Sequence, residues 1–479
     1  MQPGDDAERE YRRRRVAHWD ALARRSEAGR GWGGYYHARL ARLFRMQTSP
    51  GLRVLEIGCA RGDLLAALEP GEGFGIDFSP EMVARARRAH PHLTFVEADA
   101  HAIPLEGPFD IIVLSDLVND AWDVQQIFSE VERLSGPATR ILLNVYSRVW
   151  ELPLAIASHL GVARRNLPQN WLTVEDLTHL LELTGLEVVR HWEEFLLPLP
   201  VPLLAPFANR VLARLWPFRV FALTNVLVAR PAPRPRPENP PLRVSVVVPA
   251  RNEAGNIAEI FDRVPRMGAG TELIFVEGHS TDTTRDTIAA EIARRPGVAC
   301  QLHLQTGFGK GNAVRHGFAA ATGDVLMILD ADLTVPPEDL PRFYAALVER
   351  KGDFVNGVRL VYPMEERAMR FLNLLGNKFF SLAFSRVLGQ PVKDTLCGTK
   401  VLRRADYDRI VSNRATFGDF DPFGDFDLLF GAARLNLKIV DLPIRYRERR
   451  YGTTNIDRWR HGVLLFRMLG FAAARLWMI

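Results

Sequence analysis

The chain has 479 residues, enough for two large domains or about three of ordinary size. Apolar residues make up 47% of it, as in ordinary soluble proteins, and the formal net charge of +5 is too small and too dispersed to call for a nucleic-acid partner. Three widely separated cysteines (Cys59, Cys300 and Cys397) exclude a disulfide framework and a cysteine zinc site, and fit a reducing cytoplasm.

Neither a signal peptide nor a membrane span is predicted. Residues 1–15 are charged and lack an apolar centre, and no uninterrupted apolar run reaches the roughly 18 residues that a spanning helix needs. Residues 8–46 alternate aromatic, Arg and Ala residues at helical spacing, which predicts helices that form a lid or a packing layer. A basic, aromatic arm for nucleic acid is the alternative interpretation of that segment.

The first chemical motif is a glycine-rich turn between a strand and a helix. Residues 52–58 are typical of a strand, Gly58 and Gly62 frame the turn, and a helix is predicted from Leu64. The glycine spacing is not that of a dinucleotide-binding turn, and the acids nearby would repel a pyrophosphate. They suit a ligand that carries an ammonium group and a ribose.

Three further predicted strands each end on an acid. Residues 73–76 precede Asp77, residues 93–97 precede Asp99, and residues 109–114 precede Asp116. Helical segments separate these strands, as in a doubly wound parallel sheet whose carboxyl edge binds ligands. The N-terminal half is therefore predicted to be a Rossmann-like α/β domain.

These residues resemble the cofactor site of class I S-adenosylmethionine-dependent methyltransferases. The resemblance implies that the two glycines lie against the methionine part of the cofactor and that Asp77 accepts hydrogen bonds from the ribose. It also implies that Asp99 and Ala100 lie beside the adenine. The complete cofactor set that it implies is Glu56, Gly58, Ala60, Gly62, Asp77, Phe78, Asp99, Ala100 and Asp116. Ala60 stands where glycine is usual. The methyl acceptor stays open, and a domain that binds cofactor or a partner without catalysis is the alternative.

The middle of the chain is predicted to close the first domain. A strand over 140–146, a capped helix start over 171–177 and a strand over 186–190 precede a strongly apolar segment, 195–228. Prolines and arginines interrupt that segment, which favours closing strands with a helix between them; a membrane-interface hairpin is the alternative. Residues 231–241 are predicted to be a stiff proline-rich linker between a domain at 1–230, with its N-terminal helices in 1–48, and a domain at 242–479.

The second half begins another α/β pattern. Strands are predicted over 244–249 and 273–276, a glycine-rich loop precedes a helix over 313–321, and a buried strand over 325–329 ends at Asp330 and Asp332. Two acids at a strand end suit a hard divalent cation that also binds phosphate. The alternative is that they cap the helix predicted to start near Pro336.

The second half resembles family 2 glycosyltransferases of the GT-A fold, and most closely the polyprenyl-phosphate sugar transferases. The resemblance rests on Pro249-x-Arg251-Asn252-Glu253, the Glu277 to Asp282 loop, the Gly-x-Gly-Lys310 loop and Asp330-Ala331-Asp332. It implies that Pro249, Arg251, Glu253 and Glu277 surround the nucleotide base and ribose, and that Asp330 and Asp332 hold Mg²⁺ or Mn²⁺ on the diphosphate. Asp282 and Lys310 complete the predicted donor site. Glu277-Gly278 replaces the usual pair of aspartates.

Downstream matches supply the predicted catalytic residues. Asp394 belongs to the segment near the acceptor, Asp425 or Asp427 is the candidate base for a hydroxyl acceptor, and Lys310 or Arg447 would stabilise the leaving group. Residues 445–447, together with 449–451, resemble the basic strand end near the phosphates. The motif of processive synthases, Gln-x-x-Arg-Trp, is absent from the sequence, which favours a single transfer.

Two apolar segments, 364–388 and 463–479, are predicted to lie in a membrane interface, with ordinary packed helices as the alternative. The sequence therefore predicts a bifunctional cytoplasmic enzyme, in peripheral contact with the inner face of the membrane. It would transfer a hexose from a UDP- or GDP-linked donor to a lipid phosphate, and a methyl group to an unknown acceptor. Transfer to a soluble small-molecule hydroxyl is the alternative for the sugar.

Overall fold

The computed structural model describes residues 3–25, 33–159, 167, 169–233, 241–359, 371–413, 426–444, 449, 451 and 458–474. The chain divides into two compact units, the first ending at Ala232 and the second beginning at Pro233. Each unit is built on its own seven-stranded sheet with helices around it, so the predicted α/β class is confirmed for both halves.

The first unit contains a mostly parallel sheet in the order β3-β2-β1-β4-β5-β7-β6. Its helices are α1 (Pro3–Arg25), α2 (Gly33–Gln47), α3 (Asp63–Ala67), α4 (Pro80–Ala89), α5 (Val124–Arg133), α6 (Glu151–His159), α7 (Val174–Leu183) and α8 (Leu204–Arg210). Its strands are β1 (Arg53–Ile57), β2 (Glu72–Asp77), β3 (Thr94–Glu97), β4 (Phe109–Ser115), β5 (Ser135–Tyr146), β6 (Leu186–Glu194) and β7 (Thr224–Pro231). Strands β1 to β5 pair in parallel, and β7 runs antiparallel between β5 and β6.

Apolar side chains cover both faces of this sheet. Leu55 and Ile57 of β1 belong to one buried cluster, whereas Val54 belongs to the other, as the two-residue period of a strand requires. Helix α2 packs Tyr36, Leu40 and Phe44 into that second cluster, which confirms the predicted packing layer. Because strands β1 to β4 pair in parallel, the acids that end or follow them lie at one edge of this sheet.

The second unit contains a sheet in the order β10-β9-β8-β11-β13-β12-β14. Its strands are β8 (Arg243–Ala250), β9 (Gly270–Glu277), β10 (Cys300–Leu304), β11 (Val325–Ile328), β12 (Phe354–Val358), β13 (Lys400–Arg403) and β14 (Ile439–Pro443). Its helices are α9 (Ile257–Arg263), α10 (Thr284–Arg294), α11 (Lys310–Ala320), α12 (Leu340–Val348), α13 (Phe371–Leu388), α14 (Arg404–Ser412), α15 (Phe426–Arg434) and α16 (Arg458–Ala472). Strands β8 to β11 are parallel, while β13 is antiparallel to both of its neighbours.

Strand β11 is fully buried, as its sequence predicts. Its neighbour β8 is central to the parallel half, so the carboxyl ends of β9, β8 and β11 lie side by side. Glu277, Ala250 and Ile328 are the last residues of those strands. The acids that follow or end them are thereby brought to one edge of the sheet.

Two segments differ in detail from their predictions. Pro231 pairs with Leu186 as the last residue of β7, so the first unit extends into the predicted linker, whose residues 234–240 lie outside the described part. Segment 195–228 supplies one closing strand, β7, preceded by the short helix α8 and two single 3₁₀ turns. Among the described residues, no helix has both the length and the apolar character needed to cross a bilayer.

Candidate functional sites

The turn after β1 is held in a conformation that favours glycine. Gly58 and Gly62 have φ angles of 76° and 74°, and the carbonyl of Ile76 accepts the N–H groups of Gly58 and Cys59 at 2.8 and 2.9 Å. A β-carbon on Gly62 would lie 2.5 Å from the ring of Phe95. Ala60 also adopts a left-handed φ of 44°, so alanine fits this turn only with backbone strain.

Asp77, at the end of β2, is fixed against the same turn. Its carboxylate accepts the N–H of Ala60 and the N–H of Ser79, each at 2.9 Å. Burial raises the pKa of Asp77 to about 6, although these two hydrogen bonds favour the ionised form. The side chain is an acceptor in the position where the resemblance implies ribose hydroxyls.

Glu56 lies behind the turn. It is buried, and its Oε2 accepts the N–H of Leu65 in α3 at 3.0 Å. Burial raises the pKa of Glu56 well above its ordinary value. Through this hydrogen bond Glu56 positions the turn on α3, and its contact with the cofactor stays a prediction.

Asp99 is engaged by two basic side chains. The Nδ1 of His101 lies 2.5 Å from Oδ1, and the Nε of Arg12 lies 2.8 Å from Oδ2. Burial opposes ionisation, but these partners lower the pKa of Asp99 overall. Ala100 beside it is buried in the core, and Phe78 is half-buried at the end of β2.

Helix α1 crosses the edge where these acids lie. Asp120 accepts hydrogen bonds or ion pairs from Tyr11, Arg15 and Trp19. Asp20 accepts the hydroxyl of Ser79 at 2.5 Å. Helix α1 is therefore fixed beyond the ends of β2, β3 and β4, where a lid would lie. No pattern in the sequence indicated these partners.

Asp116 follows β4 in a polar, aromatic surrounding. Its Oδ1 accepts the hydroxyl of Tyr36 at 2.8 Å and the amide of Asn144 at 2.5 Å. Burial raises the pKa of Asp116. The ring of Tyr36 also lies 6.3 Å from that of Tyr146. Asp116 is thus fixed by β5 and α2.

In the second unit, Asp330 is paired with the glycine-loop lysine. The Nζ of Lys310, the first residue of α11, lies 2.7 Å from the Oδ1 of Asp330. Gly398 packs so closely that a β-carbon there would clash with Oδ2 of Asp330 and with Nζ of Lys310. Lys310 and Asp330, both predicted donor-site residues, are therefore in direct contact.

Asp332 is paired with a basic residue near the end of the chain. The Nη2 of Arg449 lies 2.8 Å from Oδ2 of Asp332 and 3.3 Å from Oε1 of Glu253. Thr334 donates its N–H and its hydroxyl to Oδ1 of Asp332. Burial opposes ionisation, yet Arg449 and Thr334 lower the pKa of Asp332. Burial raises the pKa of Glu253 to about 7, despite Arg449.

Glu277 and Asp282 hold the loop after β9. The carboxylate of Glu277 is buried and accepts the N–H of Ser280 at 2.6 Å, and Asp282 accepts both donors of Thr284. Pro249 is half-buried in β8, and Arg251, just beyond β8, is exposed. Tyr451 lies against Gly255, where its ring leaves no room for a β-carbon, and its hydroxyl lies 3.5 Å from Asp282.

Asp394, a predicted catalytic residue, is held by an arginine in the second unit. It is buried, and Arg359 binds both of its oxygens, at 2.6 and 2.8 Å. Burial opposes ionisation, but Arg359 lowers the pKa of Asp394. All of these contacts suit a structural anchor. Asp427 is half-buried on α15, while Asp425 and Arg447 lie outside the described residues.

The donor set around Asp330 and Asp332 fits a hard divalent cation. Two carboxylates at a strand end are oxygen ligands, and phosphate oxygens complete such sites. Within the described ranges, no group of three or more His, Cys, Asp and Glu side chains gathers to hold a metal by itself. Asp330 and Asp332 thus offer two of the oxygen ligands that such a cation takes.

Family models match both units of the chain. Residues 48–185 match the methyltransferase domain, and residues 245–411 match glycosyl transferase family 2. The chain contains a methyltransferase domain followed by a family 2 glycosyltransferase domain, so both resemblances are confirmed.

Curated relatives match part of this chain. An undecaprenyl-phosphate 4-deoxy-4-formamido-L-arabinose transferase of Klebsiella pneumoniae is 28% identical over 229 residues, covering 46% of this chain and 65% of the relative. A protein of the same description from Enterobacter is 27% identical over 228 residues, covering 46% and 64%. The chain thus spans slightly under two thirds of the length of these relatives. A solved complex of the Haloferax volcanii Trm112 methyltransferase activator with a protein assigned as a methyltransferase matches 45% of this chain and 97% of that chain, at 23% identity and a TM-score of 0.36.

Proposed function

We propose that the second unit transfers a sugar from a nucleotide sugar to a polyprenyl-phosphate acceptor, and that the first unit transfers a methyl group from S-adenosylmethionine. For the sugar transfer, the carrying observation is the cluster of Asp330, Asp332 and Glu253 with the cations Lys310 and Arg449. The similarity to undecaprenyl-phosphate sugar transferases supports the acceptor class.

The chemistry of the cluster suits a departing diphosphate. Asp330 and Asp332 would hold Mg²⁺ or Mn²⁺, which supplies charge to stabilise the leaving nucleoside diphosphate. Lys310 and Arg449 would exchange their carboxylate partners for phosphate oxygens, since both pair types are charge-assisted. A phosphate acceptor is already an anion, so the proposal requires no base.

Two helices of the second unit support a lipid acceptor. The ring of Phe380 on α13 lies 4.9 Å from that of Phe466 on α16, so the two predicted interface segments pack together. Phe379, Leu382, Val463 and Phe466 are exposed on them. We infer that these side chains contact the membrane that carries the acceptor. Residues 364–370 and 475–479 of the predicted segments lie outside the described part.

For the methyl transfer, the carrying observation is the turn of Gly58 and Gly62 against Asp77. The turn, with its positive φ angles, lies at the carboxyl end of β1, and Asp77 offers a carboxylate for ribose. S-adenosylmethionine, when bound, supplies an electrophilic methyl group. The turn would hold the methionine part and Asp77 would orient the ribose.

Ligand-dependent thermal stabilisation tests both activities. S-adenosylhomocysteine, UDP and GDP would be compared, each nucleotide with and without Mn²⁺. We expect a metal-dependent shift with one nucleotide and a separate shift with S-adenosylhomocysteine. The variant Asp332→Asn should lose the metal-dependent nucleotide shift. The control Asp324→Asn should keep it, because Asp324 precedes the first residue of β11, at the end of the strand away from the site. Absence of any nucleotide shift in the wild-type protein contradicts the sugar-transfer proposal.

A further inference from the structure

In segment 201–221 of the first unit, small or polar side chains are buried and large apolar side chains are exposed, which is the opposite of ordinary packing. The small or polar residues Ala205, Ala208, Asn209 and Ala213 are buried against the unit. The large apolar residues are exposed: Val201, Leu203, Leu204, Phe207, Leu215, Trp216, Phe218, Val220 and Phe221. Leu203 is 88% exposed and Trp216 is 77% exposed. We call these nine side chains the outward apolar surface.

This arrangement is held by the backbone. Helix α8 and the two 3₁₀ turns that follow it form successive hydrogen bonds, including Val211 to Phe207, Leu215 to Leu212 and Arg219 to Leu215. The buried Asn209 also donates to and accepts from the backbone of Leu197, at 2.7 and 2.8 Å. The apolar side chains therefore project from a folded segment.

A second apolar element adjoins the first. The indole Nε1 of Trp150 donates to the carbonyl of Phe221 at 2.9 Å, which joins the start of α6 to the outward apolar surface. Val149, Leu152 and Ile156 around this helix are exposed as well. An apolar area this large on a folded unit marks a binding surface rather than ordinary scatter.

The charged residues of this segment indicate which kind of partner the apolar surface would bind. From Phe195 to Pro237 the sequence contains no aspartate or glutamate but six arginines: Arg210, Arg214, Arg219, Arg230, Arg234 and Arg236. Arg214 forms an ion pair with Glu194, and Arg230 forms one with Glu187. Arg219 is 36% exposed between Phe218 and Val220, and its Nη1 lies 3.9 Å from Oε1 of Glu193. Segment 201–221 itself contains three arginines and no acid among its exposed apolar side chains, and this composition, together with tryptophan, matches the interface of an anionic bilayer.

We propose that the outward apolar surface is a membrane-contact site that inserts into the headgroup region of an anionic lipid bilayer. The site belongs to the methyltransferase unit and is independent of the sugar-transfer proposal. It would bring the methyl-transfer site to a lipid surface without a spanning helix.

A fluorophore at a single position tests insertion even if the second unit also contacts lipid. Cys59 and Cys397 are buried, so Cys300→Ser provides a background for labelling Leu203→Cys with an environment-sensitive dye. The matched control is Leu183→Cys, an exposed leucine of α7. Vesicles of phosphatidylcholine alone and of phosphatidylcholine with phosphatidylglycerol would be compared, with quenching by spin-labelled lipid as the depth readout.

We expect a blue shift and lipid quenching at position 203 on the anionic vesicles, and neither change at position 183. In a second experiment, Leu203→Glu with Trp216→Glu should weaken anionic vesicle binding by about tenfold or more, while Leu183→Glu should not. A label at 203 that stays in water on both vesicles would overturn the proposal. So would a wild-type protein that is dimeric without lipid and becomes monomeric in the double variant, because a second copy would then cover the surface.

Discussion

The Nη2 of Arg449 lies 2.8 Å from the Oδ2 of Asp332, although 117 residues separate them in the chain. The same nitrogen lies 3.3 Å from Glu253. One cation therefore joins the acid beyond β11 to the acid beyond β8. Arg449 balances part of the negative charge with which Asp332 and Glu253 would attract a divalent cation.

Arg449→Ala should separate the two roles of this cation. Without nucleotide, Mn²⁺ should bind about tenfold more tightly, because the acids lose a competing positive charge. With Mn²⁺ present, nucleoside diphosphate should bind about tenfold more weakly, because a phosphate partner is lost. Titration calorimetry measures both, with Arg342→Ala on α12 as the control. Weaker binding of free Mn²⁺ in Arg449→Ala would contradict this account.

Gly398→Ala should disturb the donor site without a large loss of stability. The new β-carbon would displace the carboxylate of Asp330 and the ammonium of Lys310, which are the mobile ends of side chains. We expect metal-dependent nucleotide affinity to fall by about tenfold or more. Gly297→Ala is the matched control, since no atom lies within 4 Å of its added carbon. Equal affinities in the two variants would show that the close packing at Gly398 is unimportant.

Asp394→Asn should affect folding more than binding. Asp394 and Arg359 form a buried bidentate pair, and breaking such a pair costs about 3–5 kcal/mol. In calorimetry, the melting temperature of the second unit should be lower in Asp394→Asn than in the wild type. Asp332→Asn should melt close to the wild-type temperature but lose the metal-dependent nucleotide shift. If Asp394→Asn melts like wild type but cannot turn over, Asp394 acts in catalysis, as the sequence predicted.

Much of the fold and of the candidate sites follows from the sequence, because several predicted strands are followed by acids and parallel strands end at a common edge. The partners of those acids do not follow from it. Arg359 and Asp394 meet across 35 residues, and Arg449 reaches Asp332 from a distant segment. Such pairs form only when distant segments of the chain fold back to the carboxyl edge of the sheet. The local sequence pattern around each acid does not specify that arrangement.

Segment 195–228 shows a second limit of sequence reasoning. Its apolar content predicted packed strands and a helix, and β7 is such a strand. In residues 201–221, however, alanines fill the interior and the larger residues are exposed. Composition alone does not tell which face of a helix as short as α8 meets the core.

Asp120→Ala should loosen helix α1. The carboxylate accepts from Arg15 and Trp19, and the Asp120 carbonyl remains for Tyr11 and Arg15. Amide hydrogen exchange over residues 8–24 should therefore become faster, by about tenfold, because two side-chain anchors are lost. If α1 is a lid, S-adenosylhomocysteine affinity should fall as well. Glu106→Ala, an exposed acid of the same unit, should change neither measurement.

Asp77 should make cofactor affinity depend on pH. Its folded pKa of about 6 exceeds the ordinary value of 3.8 because burial disfavours the charge. Ribose hydroxyls donate best to the ionised carboxylate, so S-adenosylhomocysteine should bind less tightly as pH falls below about 6. Asp77→Asn should bind more weakly at pH 7 and show no such dependence, whereas exposed Asp63→Asn should behave as wild type.

The same ionisation predicts the pH dependence of stability with the opposite sign. The folded protein holds Asp77 protonated more readily than the unfolded chain does, so the stability present below pH 3.8 is lost as pH rises through about 6. The difference between the two pKa values corresponds to about 3 kcal/mol at most. Relative to Asp77→Asn, the melting temperature of the wild-type first unit should fall between pH 4 and pH 7. Saturating S-adenosylhomocysteine should reduce that fall, since the ligand favours the ionised carboxylate, and a constant difference across this range would show that Asp77 keeps an ordinary pKa.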